Sequence, residues 1–222
     1  MEAGCTFCLE IEVGRSRVTS AESSPYFFWE GDDVFVVADI APIVAGHILI
    51  VSKHHRTNFW DDWRTTGSEL HKIIALYRRF SASHLGKAVV AFEHGVAGSL
   101  REERGACIDH AHVHLAPING TLLPQAREAG AWLTDWPDAR HQGPEAQCYL
   151  LNDTDGGEYA LATEHFESQF FRFVLARHAG SAFWDWKDFI DFRDALGAKT
   201  RYAETVAILR RALGDPDHGG CD

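Results

Sequence analysis

The sequence has no apolar run long enough to cross a membrane, and it has no surplus of basic residues. Its most apolar long window, residues 34–51, is interrupted by Asp39 and His47, whereas a transmembrane helix needs about 20 consecutive apolar residues. The formal net charge of −11 is opposite in sign to what non-specific binding to nucleic acid or to an anionic membrane requires. We therefore expect neither nucleic acid nor a membrane among the partners.

Cysteine is also scarce, with five in 222 residues and one close pair, Cys5 and Cys8. An odd number of cysteines with this spacing argues against a disulfide framework. The first residues lack the basic region and apolar stretch of a secretory signal. The apolar content of 45% and the charged content of 24% are typical of a globular protein. We expect a cytoplasmic protein whose cysteines are thiols or metal ligands.

Three histidines, His110, His112 and His114, alternate with small or apolar residues, and an apolar run follows them. In a β-strand, alternate side chains project from one face, so these three rings would lie about 6.6 Å apart on the same side. A protein core rarely holds three such rings on one face, because each must be desolvated and hydrogen-bonded. The pattern favours a functional site. The alternatives are a histidine-rich surface strand and an adventitious metal face.

The segment His-Ala-His-Val-His-Leu-Ala, which begins at His110, resembles the signature of the histidine triad (HIT) superfamily of nucleotide hydrolases and transferases. Upstream, Asp39-Ile-Ala-Pro resembles a second block of the family. It is followed by Gly46 and His47 in Gly-His-Ile-Leu, which also matches the family pattern. The order and spacing of these blocks agree with the family.

Two further motifs extend the resemblance toward the N-terminus. Lys53 and His55 stand where the family has Pro-Lys-x-His, and Cys5 and Cys8 resemble the Cys-x-x-Cys of its zinc-binding bacterial members. The resemblance covers about residues 5–117, which is half of the chain.

Residue patterns and the resemblance together predict an α+β fold. The resemblance implies the HIT-like fold, a five-stranded and mostly antiparallel sheet with one long helix. Alternating or β-rich runs predict the strands, and apolar residues at helical spacing predict the helix. The predicted strands are residues 26–30, 34–38, 47–52, 87–93 and 110–116, and the predicted helix is residues 68–85.

We expect three parts along the chain. These are a HIT-like catalytic domain (residues 1–117), a linker or wrapped irregular segment (118–146) and a C-terminal extension (147–222). The extension is predicted to contain a hairpin (147–152 and 158–163), two helices (168–179 and 200–213) and a frayed tail. An aromatic run at residues 183–189 either docks the extension onto the first domain or forms a stacking wall for a base or sugar.

The resemblance implies a catalytic role for three histidines. His112 is then the nucleophile that takes up the nucleotidyl group, while His114 and His47 line the phosphate. A histidine nucleophile attacks as neutral imidazole, so its other nitrogen must donate a hydrogen bond that fixes the tautomer. Hydrolases of the family carry histidine at the position of His114, where transferases and phosphorylases commonly carry glutamine.

The sequence therefore predicts a hydrolase that cleaves nucleotide conjugates at the α-phosphate through a nucleotidyl intermediate on His112. Its partner would be a small nucleotide substrate. A nucleotidyltransferase or dinucleoside polyphosphate phosphorylase is one alternative. A non-catalytic nucleotide-binding module is another.

Nucleotide binding is predicted for five further residues. Asp39 matches the family carboxylate that holds the ribose hydroxyls, and Cys107 replaces a phosphate-contacting serine. Residues 92–95, Phe-Glu-His-Gly, stand where the family usually has an asparagine before the glycine, and Glu93 could bind a ribose hydroxyl or an amine or carry a proton. A glycine-rich loop that carries Arg101 and Arg104 can cradle an anion. The alternatives are a turn-capping aspartate, an ordinary strand-end carboxylate and a solvated loop with paired charges.

The resemblance also implies a structural zinc ion held by Cys5, Cys8, His55 and His110. A Cys-x-x-Cys pair alone supplies two of the four ligands that such a site needs. His54 is a rival ligand, and a redox motif is the alternative, although that would need a thioredoxin-like βαβ setting. Family members are commonly homodimers, so we expect a homodimer, in which the extension enlarges the interface or replaces the partner as a cover for the site.

Overall fold

In the computed structural model, the chain forms one antiparallel sheet with helices on both faces. The structure describes residues 5, 7–9, 11, 27–59, 62–63, 65–95, 110–129, 133–135, 148–152, 158–162, 169–188 and 197–213. The strands are β1 (Phe27–Glu30), β2 (Val34–Ala38), β3 (Ile48–Ser52), β4 (Ala88–Gly95), β5 (His112–Ile118), β6 (Leu133–Asp135), β7 (Cys148–Asn152) and β8 (Glu158–Ala162). The helices are α1 (Glu69–His84), α2 (Leu123–Glu128), α3 (Phe170–His178) and α4 (Ala198–Leu213).

The sheet has the strand order β1-β2-β3-β5-β4-β7-β8-β6. Its first five strands are adjacent and antiparallel, which confirms the predicted five-stranded α+β arrangement. The predicted C-terminal hairpin is present as β7 and β8, and β7 pairs with β4 from Ala91↔Asn152 to Gly95↔Cys148. The hairpin therefore continues the sheet instead of forming a separate layer.

Helix α1 covers one face of the sheet, and its sequence explains both of its ends. Ser68 is the N-cap, and its hydroxyl accepts a hydrogen bond from the backbone N–H of His71. The helix gives way after the C-cap Leu85 to Gly86, whose φ of 63° favours glycine. The buried side chains recur every three or four residues and are Leu70, Ile73, Ile74, Tyr77 and Phe80. This helix is the predicted one, to within a residue at each end.

The C-terminal extension packs on both faces of the sheet. On the α1 side, Ile208 and Leu209 of α4 join the main apolar core. On the opposite side, Phe171 of α3 packs against Phe92 of β4, with ring centroids 5.6 Å apart. Within the described residues, no helix combines the length and the hydropathy that crossing a bilayer requires.

The segment predicted as a linker, residues 118–146, contains regular structure where it is described. Helix α2 lies in it, and β6 pairs with β8 at the edge of the sheet. Leu122 and Ala126, four residues apart, are fully buried in the apolar cluster beneath α3. This burial stabilises a helix that composition, rich in glycine and proline, does not predict.

Glu93 lies on the α1 side of β4, away from the histidines. Its carboxylate is fully buried and accepts hydrogen bonds from the backbone N–H of Phe59 (2.7 Å) and from Nε1 of Trp63 (2.9 Å). Burial raises the pKa of Glu93 to about 8, although these hydrogen bonds act in the opposite direction. The predicted contact between Glu93 and a nucleotide beside the histidines is therefore wrong. Side chains alternate along a strand, and the side chain of Glu93 points to the core face of the sheet.

The raised pKa of Glu93 predicts a pH-dependent stability. Below pH 4.5, which is the ordinary pKa of the group, protonated Glu93 makes its full contribution to the stability of the fold. This contribution is lost as the pH rises through about 8. The variant Glu93→Gln does not titrate there. We expect the free energy of unfolding of the wild type, relative to this variant, to fall between pH 5 and pH 8 in urea titrations. The exposed Glu128→Gln serves as the control, and a difference that stays constant with pH would contradict the assignment.

Because α3, α4 and the hairpin bury apolar surface of the first five strands, deletion of residues 147–222 should expose it. We expect the truncated chain to aggregate, as measured by light scattering. Deletion of residues 214–222 alone is the control and should leave the oligomeric state and the solubility unchanged. A soluble, monodisperse product of the larger deletion would be the contrary result.

Candidate functional site

The histidine-rich segment lies on the sheet face opposite α1. Strand β5 pairs with β3, with His112 opposite Val51 and His114 opposite Leu49. Between these histidines, Val113 points to the α1 side and is fully buried there. Phe7 contacts both His110 and His112, with ring centroids 5.6 and 5.4 Å away. The three rings thus share one face, as their spacing predicts.

The tautomer of His112 is set by one backbone contact. Its Nδ1 lies 2.7 Å from the carbonyl oxygen of His110, so Nδ1–H donates and Nε2 carries the lone pair. Burial lowers the pKa of His112 below its usual value, although the hydrogen bond to His110 and the charge of Asp39 act in the opposite direction. The ring is therefore neutral at pH 7, which is the form a nucleophile requires.

His47 and His114 form a hydrogen-bonded pair beside His112. Nδ1 of His47 accepts from the backbone N–H of Ile43 (3.4 Å), so its Nε2 carries the proton and donates to Nδ1 of His114 (3.0 Å). His114 is then left with a proton on Nε2, which makes that atom a donor. Burial lowers the pKa of His47 to about 4 and that of His114 well below its usual value. Both rings are neutral donors at pH 7.

Asp39, which directly follows β2, is engaged by a residue of the C-terminal extension. Its Oδ1 accepts from the backbone N–H of Ala41 (2.8 Å), and its Oδ2 forms an ion pair with Arg172. Burial raises the pKa of Asp39, but the charges of Arg172 and His47 outweigh it, so the pKa lies below its usual value. This environment differs from the predicted one, in which the Asp39 carboxylate is open to a ribose.

Arg172 was not among the residues predicted from the sequence. It is 4% exposed and lies in the apolar run of α3. Its Nε donates to the carbonyl oxygen of Trp184 (3.1 Å), and a second terminal nitrogen donates to that of Ala41 (2.7 Å). A charged residue inside an apolar helix run is the signal that indicates it, because a buried arginine needs a charged or polar partner.

His94 is another residue that the prediction missed. On β4, Phe92 lies opposite His114 and stacks on it at 4.7 Å, and His94 follows two residues later on the same face. Burial lowers the pKa of His94 to about 4, with the charge of His112 as the second cause. Because successive side chains of β4 point to opposite faces, His94 lies on the histidine face and its neighbour Glu93 does not.

Four possible metal ligands meet where the N-terminal segment contacts β5. The Sγ atom of Cys8 lies 3.4 Å from Nδ1 of His55 and 3.6 Å from Nδ1 of His110, and Sγ of Cys5 lies 3.4 Å from the latter atom. Tetrahedral zinc, with bonds of about 2.3 Å to sulfur and about 2.0 Å to nitrogen, separates such ligands by about 3.5 Å. Nε2 of His110 lies 2.7 Å from the carbonyl oxygen of Ser52, which leaves Nδ1 free to bind a metal.

A second group, Asp39, His47 and His114, also brings three possible ligand atoms together. Here Arg172 already neutralises the carboxylate, and the two imidazoles are hydrogen-bonded to each other. These contacts account for the cluster without an ion. The predicted phosphate-contacting residues Cys107, Arg101 and Arg104 lie outside the described residues.

No family model matches the sequence. The chain is similar to histidine triad proteins. A histidine triad protein from Clostridium difficile is 21% identical over 54% of this chain and 95% of its own, with a TM-score of 0.34. A Hit-like protein from Bartonella henselae is 18% identical over 53% and 80% (TM-score 0.35). A Zn-bound family protein from Mycobacterium smegmatis is 18% identical over 53% and 76% (TM-score 0.36).

Proposed function

We propose that this chain is a histidine triad enzyme that hydrolyses a nucleotide conjugate at its α-phosphate, with His112 as the nucleophile. The observation that carries this proposal is the 2.7 Å contact between Nδ1 of His112 and the carbonyl oxygen of His110. It supports a neutral ring with its lone pair on Nε2, on a side chain that remains partly exposed.

The reaction would proceed as two displacements at phosphorus. In the first, Nε2 of His112 bonds to the α-phosphorus, and the bond to the leaving group breaks as that group takes up a proton from solvent. In the second, water attacks the same phosphorus and gives up a proton to solvent as the bond to Nε2 breaks, which releases a nucleoside monophosphate and restores neutral His112. Splitting one displacement into two easier ones is the usual benefit of covalent catalysis.

His114 and His47 would stabilise the charge that develops on the phosphoryl oxygens. The hydrogen bond from His47 leaves the Nε2–H of His114 as a donor next to His112. Phosphoryl transfer depends chiefly on such positioned donors and positive charge. Because His47 and Ile43 hold the donor in place before a substrate arrives, little reorganisation is needed.

We propose that the two main parts of the chain contribute different residues to the site. Residues 1–117 supply the histidines, and the extension (147–222) covers their face and supplies Arg172. The substrate is a small nucleotide conjugate. Assembly as a homodimer stays a prediction, and the partner is not needed to cover the face that α3 already occupies.

The variant His112→Ala tests the nucleophile. We expect turnover to fall at least about 1,000-fold, because the two-step route is lost. The assay uses a nucleoside phosphoramidate, a nucleotidyl sugar and a dinucleoside polyphosphate, each with and without inorganic phosphate. His84→Ala, an exposed histidine at the end of α1, is the control.

Full activity in His112→Ala would overturn the proposal. Turnover that requires phosphate would indicate a phosphorylase instead. Nucleotide binding without any turnover in the wild type would indicate a binding module.

We further propose that Cys5, Cys8, His55 and His110 hold one structural zinc ion. The sulfur–nitrogen separations of 3.4–3.6 Å support tetrahedral coordination. A set of four protein ligands leaves no open position, so the ion would hold the N-terminal segment against β5 and take no part in the chemistry. When bound, zinc contributes to folding free energy.

Elemental analysis of protein purified without added metal should find about one zinc per chain. In Cys8→Ala the zinc content should fall, and the melting temperature should fall by several degrees, because a closed site stabilises the fold. Cys221→Ala removes a cysteine outside the ligand set and is the control. Well-folded wild-type protein without zinc would contradict this proposal.

A further inference from the structure

The carboxylate of Asp39 is enclosed by protein on every side that the structure describes. Its side chain is 4% exposed. Oδ1 accepts from Ala41, and Oδ2 faces Arg172, with Nε2 of His47 at 3.5 Å and Nδ1 of His114 at 3.7 Å. Holding the two hydroxyls of a ribose would require lone pairs of both oxygens to be directed at the ligand. In this chain each oxygen already accepts a hydrogen bond from the protein, and the side chain is almost inaccessible.

Arg172 is itself fixed by three separate contacts. Besides Asp39, its guanidinium donates to the carbonyl oxygens of Ala41 and Trp184. Two of these contacts lie in the turn after β2, and the third lies after α3, so the side chain fastens the extension to the first domain. A ribose that displaced it from Asp39 would leave a buried cation without its counter-ion, which is strongly unfavourable.

We propose that Arg172 determines the substrate class of this enzyme by withdrawing Asp39 from ribose recognition. The chain then accepts deoxyribonucleotide conjugates as readily as ribonucleotide conjugates, and it selects its substrate through the phosphate and the leaving group. This inference rests on the proposed nucleotide hydrolysis and concerns the same site. Arg172 acts through Asp39 and is a positioning residue.

The first experiment compares sugars on the intact wild-type protein. Binding of AMP and 2′-deoxy-AMP is measured by calorimetry, and kcat/KM is measured for the phosphoramidates of both. We expect the two sugars to differ by less than threefold in each measurement. A preference for ribose above threefold overturns the proposal, and folded Asp39→Asn protein then shows whether Asp39 or another group causes that preference.

The variants test whether Arg172 is the residue that prevents Asp39 from binding the ribose. In Arg172→Met, the freed carboxylate should raise the preference for ribose several-fold, and Asp39→Asn/Arg172→Met should abolish that gain. A merely structural arginine would change the melting temperature of both variants and leave the ratio between the sugars unchanged, which would overturn the role given to Arg172.

If Arg172→Met does not fold, the wild type and Asp39→Asn decide the question through their sugar ratios. If the wild type neither binds nor turns over any nucleotide, the proposed function itself is overturned. A marked preference for ribose that depends on Asp39 would overturn only the present inference.

Discussion

The site depends on the pleat of β5, which assigns consecutive residues to opposite faces of one sheet. On one face, Val113 and Leu115 pack against α1 in the main core. On the other, His112 and His114 lie in a setting buried enough to keep them neutral yet supplied with hydrogen-bond partners. A shift of one residue in the register would place the imidazoles in the core and the valine in the site. The apolar packing of one face therefore fixes the chemistry of the other.

Burial of charge links the distant parts of the chain. Asp39 and Arg172 are separated by 133 residues in sequence, and each is nearly inaccessible to solvent. Either charge alone would be costly to bury, whereas together, with added backbone hydrogen bonds, they satisfy each other. Replacing such a pair by apolar residues can be nearly neutral in stability, so the clearer effect of the pair is on the arrangement of the chain. That arrangement brings α3 against the histidine face.

Much of the fold and part of the site could be predicted from the sequence, because these features depend on local pattern. Helix α1 has a capping serine, a regular apolar face and a terminal glycine. The common face of the histidines follows from their spacing, whereas the ligand cluster at Cys8 and His110 was expected from the family resemblance. By contrast, Glu93 was predicted instead of His94 from its position within a motif. The alternation of side chains along the strand indicates His94 as the residue on the histidine face.

What the sequence could not supply are contacts that depend on long-range packing. Nothing in the composition of residues 118–146 indicates that Leu122 would be buried under α3. Similarly, the partner of Arg172 depends on which face of the sheet α3 covers, and a single sequence does not contain that information. The predicted hairpin was correct as a local unit, but its pairing with β4 depends on the edge that the first five strands leave open.

That pairing has a consequence for how the molecule meets copies of itself. An unpaired strand exposes a row of backbone donors and acceptors, which is a template for adding a strand from another chain. Here β7 occupies the open side of β4, so the sheet is bordered by β1 and by the three-residue β6. Within the described residues, β7 therefore prevents strand addition next to β4, and addition of a strand from a second copy would have to take place at β1 or β6.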